Sequence, residues 1–256
     1  MTTRIWNLLD KFSESVRQMS KSSNAAIMQP TYLPWSGYFG LIGSVNNFVF
    51  LDDVQISLPS WQNRNRIMSK DGPLYLTLPA TIKSVDSKLI RDIPLICENK
   101  IKQKHLEAIR HSYRKAAFFE PVFSIMLEVY SRSHIYISNL NMDLIRTFSD
   151  ALGYKTEFHL SSDINVKGSR SEKLVNLLNY LKSDSYYSPI GSREYIERDG
   201  LFASLNFPVL FQNFVPEPYP QLFYGFTPYL SAIDMFFCLG FEESKRLIAR
   251  NQSFIP

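Results

Sequence analysis

The chain has 256 residues, 45% of them hydrophobic and 20% charged, with 28 Lys and Arg against 24 Asp and Glu. That length suits one well-cored domain with a short appendage, and the composition excludes a disordered chain. A net charge of +4 permits phosphorylated ligands or transient RNA contact but falls short of the basic stripe of a dedicated nucleic-acid binder.

Cys97 and Cys238 stand far apart without CxxC spacing, so neither a disulfide framework nor a zinc site is indicated and the chain reads as cytoplasmic. Residues 1–24 carry Ile5, Trp6, Leu8, Leu9 and Phe12 at near-helical spacing, followed by a polar stretch from Ser20 to Asn24. This predicts an amphipathic helix and linker, with no apolar block long enough for secretion or for a transmembrane segment. Residues 25–256 are expected to form one α/β domain.

In that domain "AAIMQ" predicts a strand, "WSGYFGLIGSV" a helix and "NFVFLDD" a second strand. A β-α-β opening implies a mainly parallel, Rossmann-like sheet flanked by helices. Asp71-Gly72 between two strand-like runs predicts an inserted β-hairpin. Helical patterns follow over 99–114, 119–131 and 138–152, the last closed by Gly153. "GSRSEKLVNLLNYLKSD" offers a serine cap and then the apolar series Leu174, Val175, Leu177, Leu178 and Leu181. After "SYYSPIGSREYI" and "FPVLFQNF" the chain closes with a helical region from Ser231, making the C-terminal part helical.

Ligands of open α/β sheets bind beyond the carboxyl ends of the strands. The first strand would place Gln29, Pro30, Thr31 and Tyr32 there, with Trp35, Gly37 and Tyr38 opening a helix whose free N–H groups attract an anion; Gly37 would permit its close approach. The second strand ends in Asp52 and Asp53, with Gln55 nearby. Adjacent strand residues point to opposite faces, so one aspartate at most faces a ligand, as a general base or an amine-orienting group. A metal site built from both is not expected.

Just downstream, "SWQNRNRI" sets Trp61 for base stacking beside Asn63, Arg64 and Arg66 for phosphate. A second phosphate cluster is Ser169, Arg170 and Lys173 in "VKGSRSEK", and Gly191 and Tyr195 in "SPIGSREYI" stand at another predicted strand end. The proline- and aromatic-rich stretch from Phe211 predicts a rigid lip, where Asn213, Tyr229 and Asp234 order a sugar's hydroxyls or amine, or else fix the loop itself. His105, His111, His134 and His159 fit no catalytic motif and read as structural or exposed.

The blocks "QPTYLPWSGYF", "FVFLDDVQ", "SWQNRNRI", "GSRSEKLV", "YYSPIGSREYI" and "YPQLFYGFTPYLSAIDMFF", in that order over about residues 25 to 240, resemble the WbqC-like protein family, found in gene clusters for O-antigen and other surface polysaccharides. A remoter likeness is to HUP-type nucleotide-binding domains, because "WSGY" stands where nucleotidylyltransferases and class I synthetases carry HxGH. Trp35 and Tyr38 replace both histidines and supply no cationic donors for adenylyl transfer.

The resemblance implies a transferase acting on a nucleotide-linked amino sugar, such as a dTDP-linked one. It would add an acyl or aminoacyl group to the sugar amine from an activated donor, aminoacyl-tRNA included. The carboxylates considered for this chemistry are Asp53, Asp52 and Asp234. A nucleotidylyltransferase or ATP-dependent ligase, and a non-catalytic scaffold of the polysaccharide machinery, are the alternatives. No cofactor is expected, and the oligomeric state stays open.

Overall fold

A computed structural model describes residues 23–56, 59–80, 89–223 and 225–256; the helix expected near the N-terminus lies outside them. Strand β1, Asn24–Met28, is central because Ala25, Ala26 and Ile27 suit a strand covered on both faces. It pairs in parallel with β2 (Asn47–Phe50), Met28 opposite Phe50, and with β6 (Ser185–Pro189), Ala26 opposite Tyr187.

The six-stranded sheet runs β5-β2-β1-β6-β7-β8, with β5 Glu157–Leu160, β7 Val209–Phe214 and β8 Gln252–Ile255. Only β8 is antiparallel to its neighbour, and it lines the edge beyond β7. The β5 and β8 segments were not anticipated. At four residues each they are too short for a period-two pattern to stand out, and pairing with β2 and β7 makes them strands.

Helix α1, Ser36–Gly43, crosses from β1 to β2 and is buried over Ser36–Ile42. The predicted hairpin forms as β3 (Arg64–Ser69) and β4 (Gly72–Thr77), a two-stranded sheet of its own rather than an extension of the main one. Helices α2 (Glu98–Tyr113), α3 (Phe119–Ser131) and α4 (Ile137–Ala151) follow. Gly153, at φ 70°, ends α4 as expected, its N–H donating to the Asp150 carbonyl. α9, Ala232–Arg250, lies on the same side, with Phe236 against Phe39 of α1 at 5.5 Å between ring centroids.

The other face of the sheet carries α5 (Ser161–Ile164), α6 (Arg170–Tyr180), α7 (Arg193–Asp199) and α8 (Leu201–Ser204). Here Leu174, Leu177, Leu178 and Phe202 pack on Ala25, Ile27 and Val49, while Ala26, Phe48 and Phe50 join the core on the α1 side. Ser169 holds the cap position of α6, but its side chain makes no capping hydrogen bond, contrary to the expected serine cap. Arg170 follows at φ 51°, a left-handed conformation in which the regular cap geometry is not formed.

Buried polar groups tie the insertion to the sheet. The Tyr32 hydroxyl donates to His105 Nδ1 at 2.6 Å and accepts from Tyr130, while His105 gives its other ring N–H to the Thr77 carbonyl. Lys102 Nζ donates to Glu98, to the Arg132 carbonyl and to His134 Nδ1, and His134 Nε2 meets Asp143 at 3.0 Å. These networks give His105 and His134 the structural roles read for them.

Candidate functional site

The chain leaves β1 over one face to reach β2, and reaches β6, the opposite neighbour of β1, over the other face. A crevice opens at such a switch point, beyond the carboxyl ends of β1 and β6. On its α1 side lies a cavity of 310 Å³. Its walls are Met28, Thr31, Pro34, Trp35 and Tyr38 from β1 through α1, Trp61, Asn65 and Arg66 from the hairpin, and Tyr229 from the loop before α9.

The hairpin and the loop are stitched to the β1 end. Asn65 Nδ2 donates to the carbonyls of Tyr32 and Leu33, at 3.2 and 2.8 Å, so this buried amide shapes the wall. Ser231 N donates to the Arg66 carbonyl and Ala232 N to that of Pro34, both at 2.8 Å. Tyr38 gives its hydroxyl to the Gln29 carbonyl at 3.1 Å, and burial pushes that phenol well above its ordinary pKa.

Trp35 packs edge-on against Phe214 at 5.0 Å and lies 5.5 Å from Tyr229. Its indole rests on the backbone of α1: a Cβ on Gly37 would come within 2.3 Å of the ring. The close approach that Gly37 allows is therefore used by Trp35, and the anion seat expected over that glycine is filled.

Arg66 donates through one terminal nitrogen to the Tyr229 carbonyl at 3.2 Å, whereas its Nε is buried without a partner among the described residues. Thr31 Oγ1 is likewise buried and unpartnered. Trp61 and Tyr229, each 51% exposed, frame the opening. An aromatic-lined cavity with a guanidinium and a hydroxyl residue in its wall is suited to a flat ring carrying an acceptor-rich, anionic group.

The opposite side of the same edge holds a different constellation. Asp53 accepts from Lys173 Nζ and from Ser161 Oγ, each at 2.6 Å. Burial pushes its pKa up, but the hydrogen bonds from Lys173 and Ser161 and the ammonium charge together hold it below the ordinary carboxylate value. Asp52, only 1% exposed, accepts from the Ser162 N–H at 3.0 Å and from its hydroxyl at 2.7 Å, pinning the start of α5. Both aspartates stand beyond the last residue of β2 and bond to neighbouring serines of α5, so the expected split to opposite faces is not seen: strand alternation has ended before them and both carboxylates are held on the same side. Gln29, bonded through its side chain to Gln62, follows β1 at the same edge.

Other expected residues stand elsewhere. Arg64 lies over the Tyr75 ring at 5.1 Å, and Arg170 and Tyr195 border a separate cavity of 390 Å³ with Arg198 and Asp199, while Lys173 of the same expected cluster turns to Asp53. Ser169 borders a further surface cavity and Gly191 sits in the turn after β6. Asn63 is taken up by the Ser60 N–H and the Leu78 carbonyl, Gln55 bridges to Leu89, and Asn213 faces Ser253 on the β8 side. Asp234 is fully buried and accepts from Tyr113, Tyr219 and Gln221 at 2.8, 2.7 and 2.9 Å. Burial raises its pKa against the opposing pull of those donors. It fixes the lip, the second of its two expected roles.

Thr31 stood in the expected strand end and Asn65 in "SWQNRNRI" without a role of its own, whereas Ser161 beside Asp53 was not singled out from sequence. Nothing in sequence marks the Thr31 hydroxyl as unpartnered; Ser161 follows the unrecognised β5. Among the described residues, no group of three or more His, Cys, Asp and Glu side chains is placed to hold a metal ion, and no helix is long and apolar enough to cross a membrane.

Residues 29–246 match the model of the WbqC-like protein family, and the chain belongs to that family. It is 32% identical over 219 residues to the uncharacterized protein Rv1507c of Mycobacterium tuberculosis (strain ATCC 25618 / H37Rv), which covers 85% of this chain and 94% of that protein. No solved structure matches the chain.

Proposed function

We propose that this chain, as a member of the WbqC-like family, is a cytoplasmic transferase that acylates the amine of a nucleotide-linked amino sugar, such as a dTDP-linked one, for O-antigen or related surface polysaccharide. The observation that carries the reading is the aromatic cavity at the carboxyl end of β1, with the Arg66 side chain in its wall. A nucleotide sugar offers a flat base for Trp61 and Tyr229 and a diphosphate for the Arg66 N–H.

Asp53 serves best as an orienting carboxylate. A group held below the ordinary carboxylate pKa is a weak proton acceptor, but it remains anionic and can accept a hydrogen bond from the N–H of the neutral sugar amine in place of the one from Lys173. The sugar enters as the neutral amine, its ammonium proton given up to solvent before binding, and this amine attacks the acyl carbon of an activated ester, such as an aminoacyl-tRNA, or of a thioester. The C–N bond forms, the C–O or C–S bond breaks, and the proton lost by nitrogen ends on the leaving oxygen or sulfur. Holding amine and acyl carbon together supplies the acceleration expected of proximity.

Mass spectrometry of nucleotide amino sugars incubated with the protein and acyl-thioester or aminoacyl-tRNA donors tests the reading. A mass gain on the sugar that disappears with Arg66→Ala is the expected result. ATP cleavage to AMP with no modified sugar would replace it with the ligase.

A further inference from the structure

A cavity of 720 Å³ is distinct from the aromatic one. It lies between the hairpin turn and the last turn of α2, lined among others by Lys70, Leu74, His111, Arg114, Lys115 and Phe223. All four basic residues are exposed, and among the described residues none of them pairs with a carboxylate. Lys100, Lys104 and Arg110 continue the exposed basic character back along α2. The acids among them are Asp71 at the turn and Glu107 on the helix, the latter bonded to Gln103. A helix of 16 residues spreads these charges over about 24 Å.

We propose that this groove and the exposed side of α2 dock the phosphodiester backbone of an RNA stem. A site for one phosphate converges buried donors on a point, whereas here exposed cations are strung along a line, the arrangement that gains affinity by counting phosphates. A flat bilayer cannot enter a concave groove set between a turn and a helix end. The choice of RNA rests on the transferase reading above, in which the donor includes a charged RNA. Two elements link the sites: β3 runs from Arg66 at the cavity to Ser69 at the groove, and the loop before α9 supplies Tyr229 to one and Phe223 to the other.

Fluorescence anisotropy with a labelled RNA hairpin of roughly a dozen base pairs tests the proposal. Neutralising about four phosphates predicts an affinity loss of about 100-fold between about 50 and about 200 mM salt. The triple variant Lys70→Glu, Arg114→Glu, Lys115→Glu should lose most of the binding and flatten the salt slope by about three, while Lys245→Glu, Arg246→Glu on α9 retains it; thermal melting checks that both remain folded. Unchanged RNA binding by the triple variant, a DNA duplex bound as tightly as the RNA, or charge-dependent binding to phosphatidylglycerol vesicles but not to RNA would overturn it. Sugar acylation from a small thioester donor separates the two readings. Acylation without RNA binding removes this inference alone, and RNA binding without acylation by either donor removes the transferase.

Discussion

The two sides of the sheet's carboxyl edge differ in how their polar groups are satisfied. On the α1 side Arg66 Nε and Thr31 Oγ1 are buried without partners among the described residues, while on the α6 side Asp52 and Asp53 are enclosed by Ser162, Ser161 and Lys173. A buried donor left open costs stability in the empty protein and recovers it when an acceptor arrives. A closed network stabilises the fold first and reaches chemistry only by exchanging a partner.

Acid probes the closed kind most strongly. His105 is buried and its pKa is lowered from 6.5 to about 4 by that burial and by nearby Lys104. The unfolded chain therefore takes up a proton first. Stability is complete above pH 6.5 and falls as pH drops toward 4, by about 3 kcal/mol at the lower end. Asp53 acts in a lower window: its pKa is depressed below 3.8, so its contribution is full above that value and is lost as pH falls through the folded value. Melting temperatures recorded from pH 7 to pH 4 should fall in the native chain and much less in His105→Gln; equal slopes would show that another group controls the window.

Exchanging aspartate for asparagine at the two adjacent positions sharpens the contrast. Asp53→Asn should cut acyl transfer by about 100-fold, the scale of a misplaced reactant. Asp52→Asn should preserve turnover and lower the melting temperature by about 3 to 6 °C, because the capping network at Ser162 is weakened. Equal effects on turnover would merge the two roles.

On the open side, Arg66→Ala should weaken nucleotide-sugar binding by about 1.5 to 3 kcal/mol in calorimetry, with Arg64→Ala unchanged. Trp61→Ala should cost about 1 to 2 kcal/mol of the same affinity, as loss of a stacking surface does. A drop in melting temperature from either cavity variant as large as its loss of affinity would assign that residue to the fold.

Much of the architecture was legible locally. The short continuous apolar runs of β1 and β2, the helical spacing of α2, α3 and α4, and the Asp71-Gly72 turn are each encoded within a dozen residues. Gln29 and the aspartates at one edge followed from parallel pairing, and Trp35, Trp61, Arg66 and Tyr229 were named before they met around one cavity. The parting of Arg170 and Lys173 was not legible, because Lys173 turns to Asp53 while Arg170, at a left-handed φ of 51°, borders a cavity of its own. Likewise the choice between the two roles expected of Asp234 was made by buried donors that lie as far away in sequence as Tyr113.

By itself, then, the sequence determined the family, the β-α-β opening and the residue types able to bind a nucleotide sugar, since these depend on local order and periodicity. Tertiary structure decided which of those residues are available. Trp35 covers Gly37, Lys173 crosses from α6 to Asp53, and the hairpin brings Arg66 to the end of β1 with one N–H unbound by any described residue. Availability depends on partners distant along the chain, and no local pattern records which hydrogen bonds those partners complete.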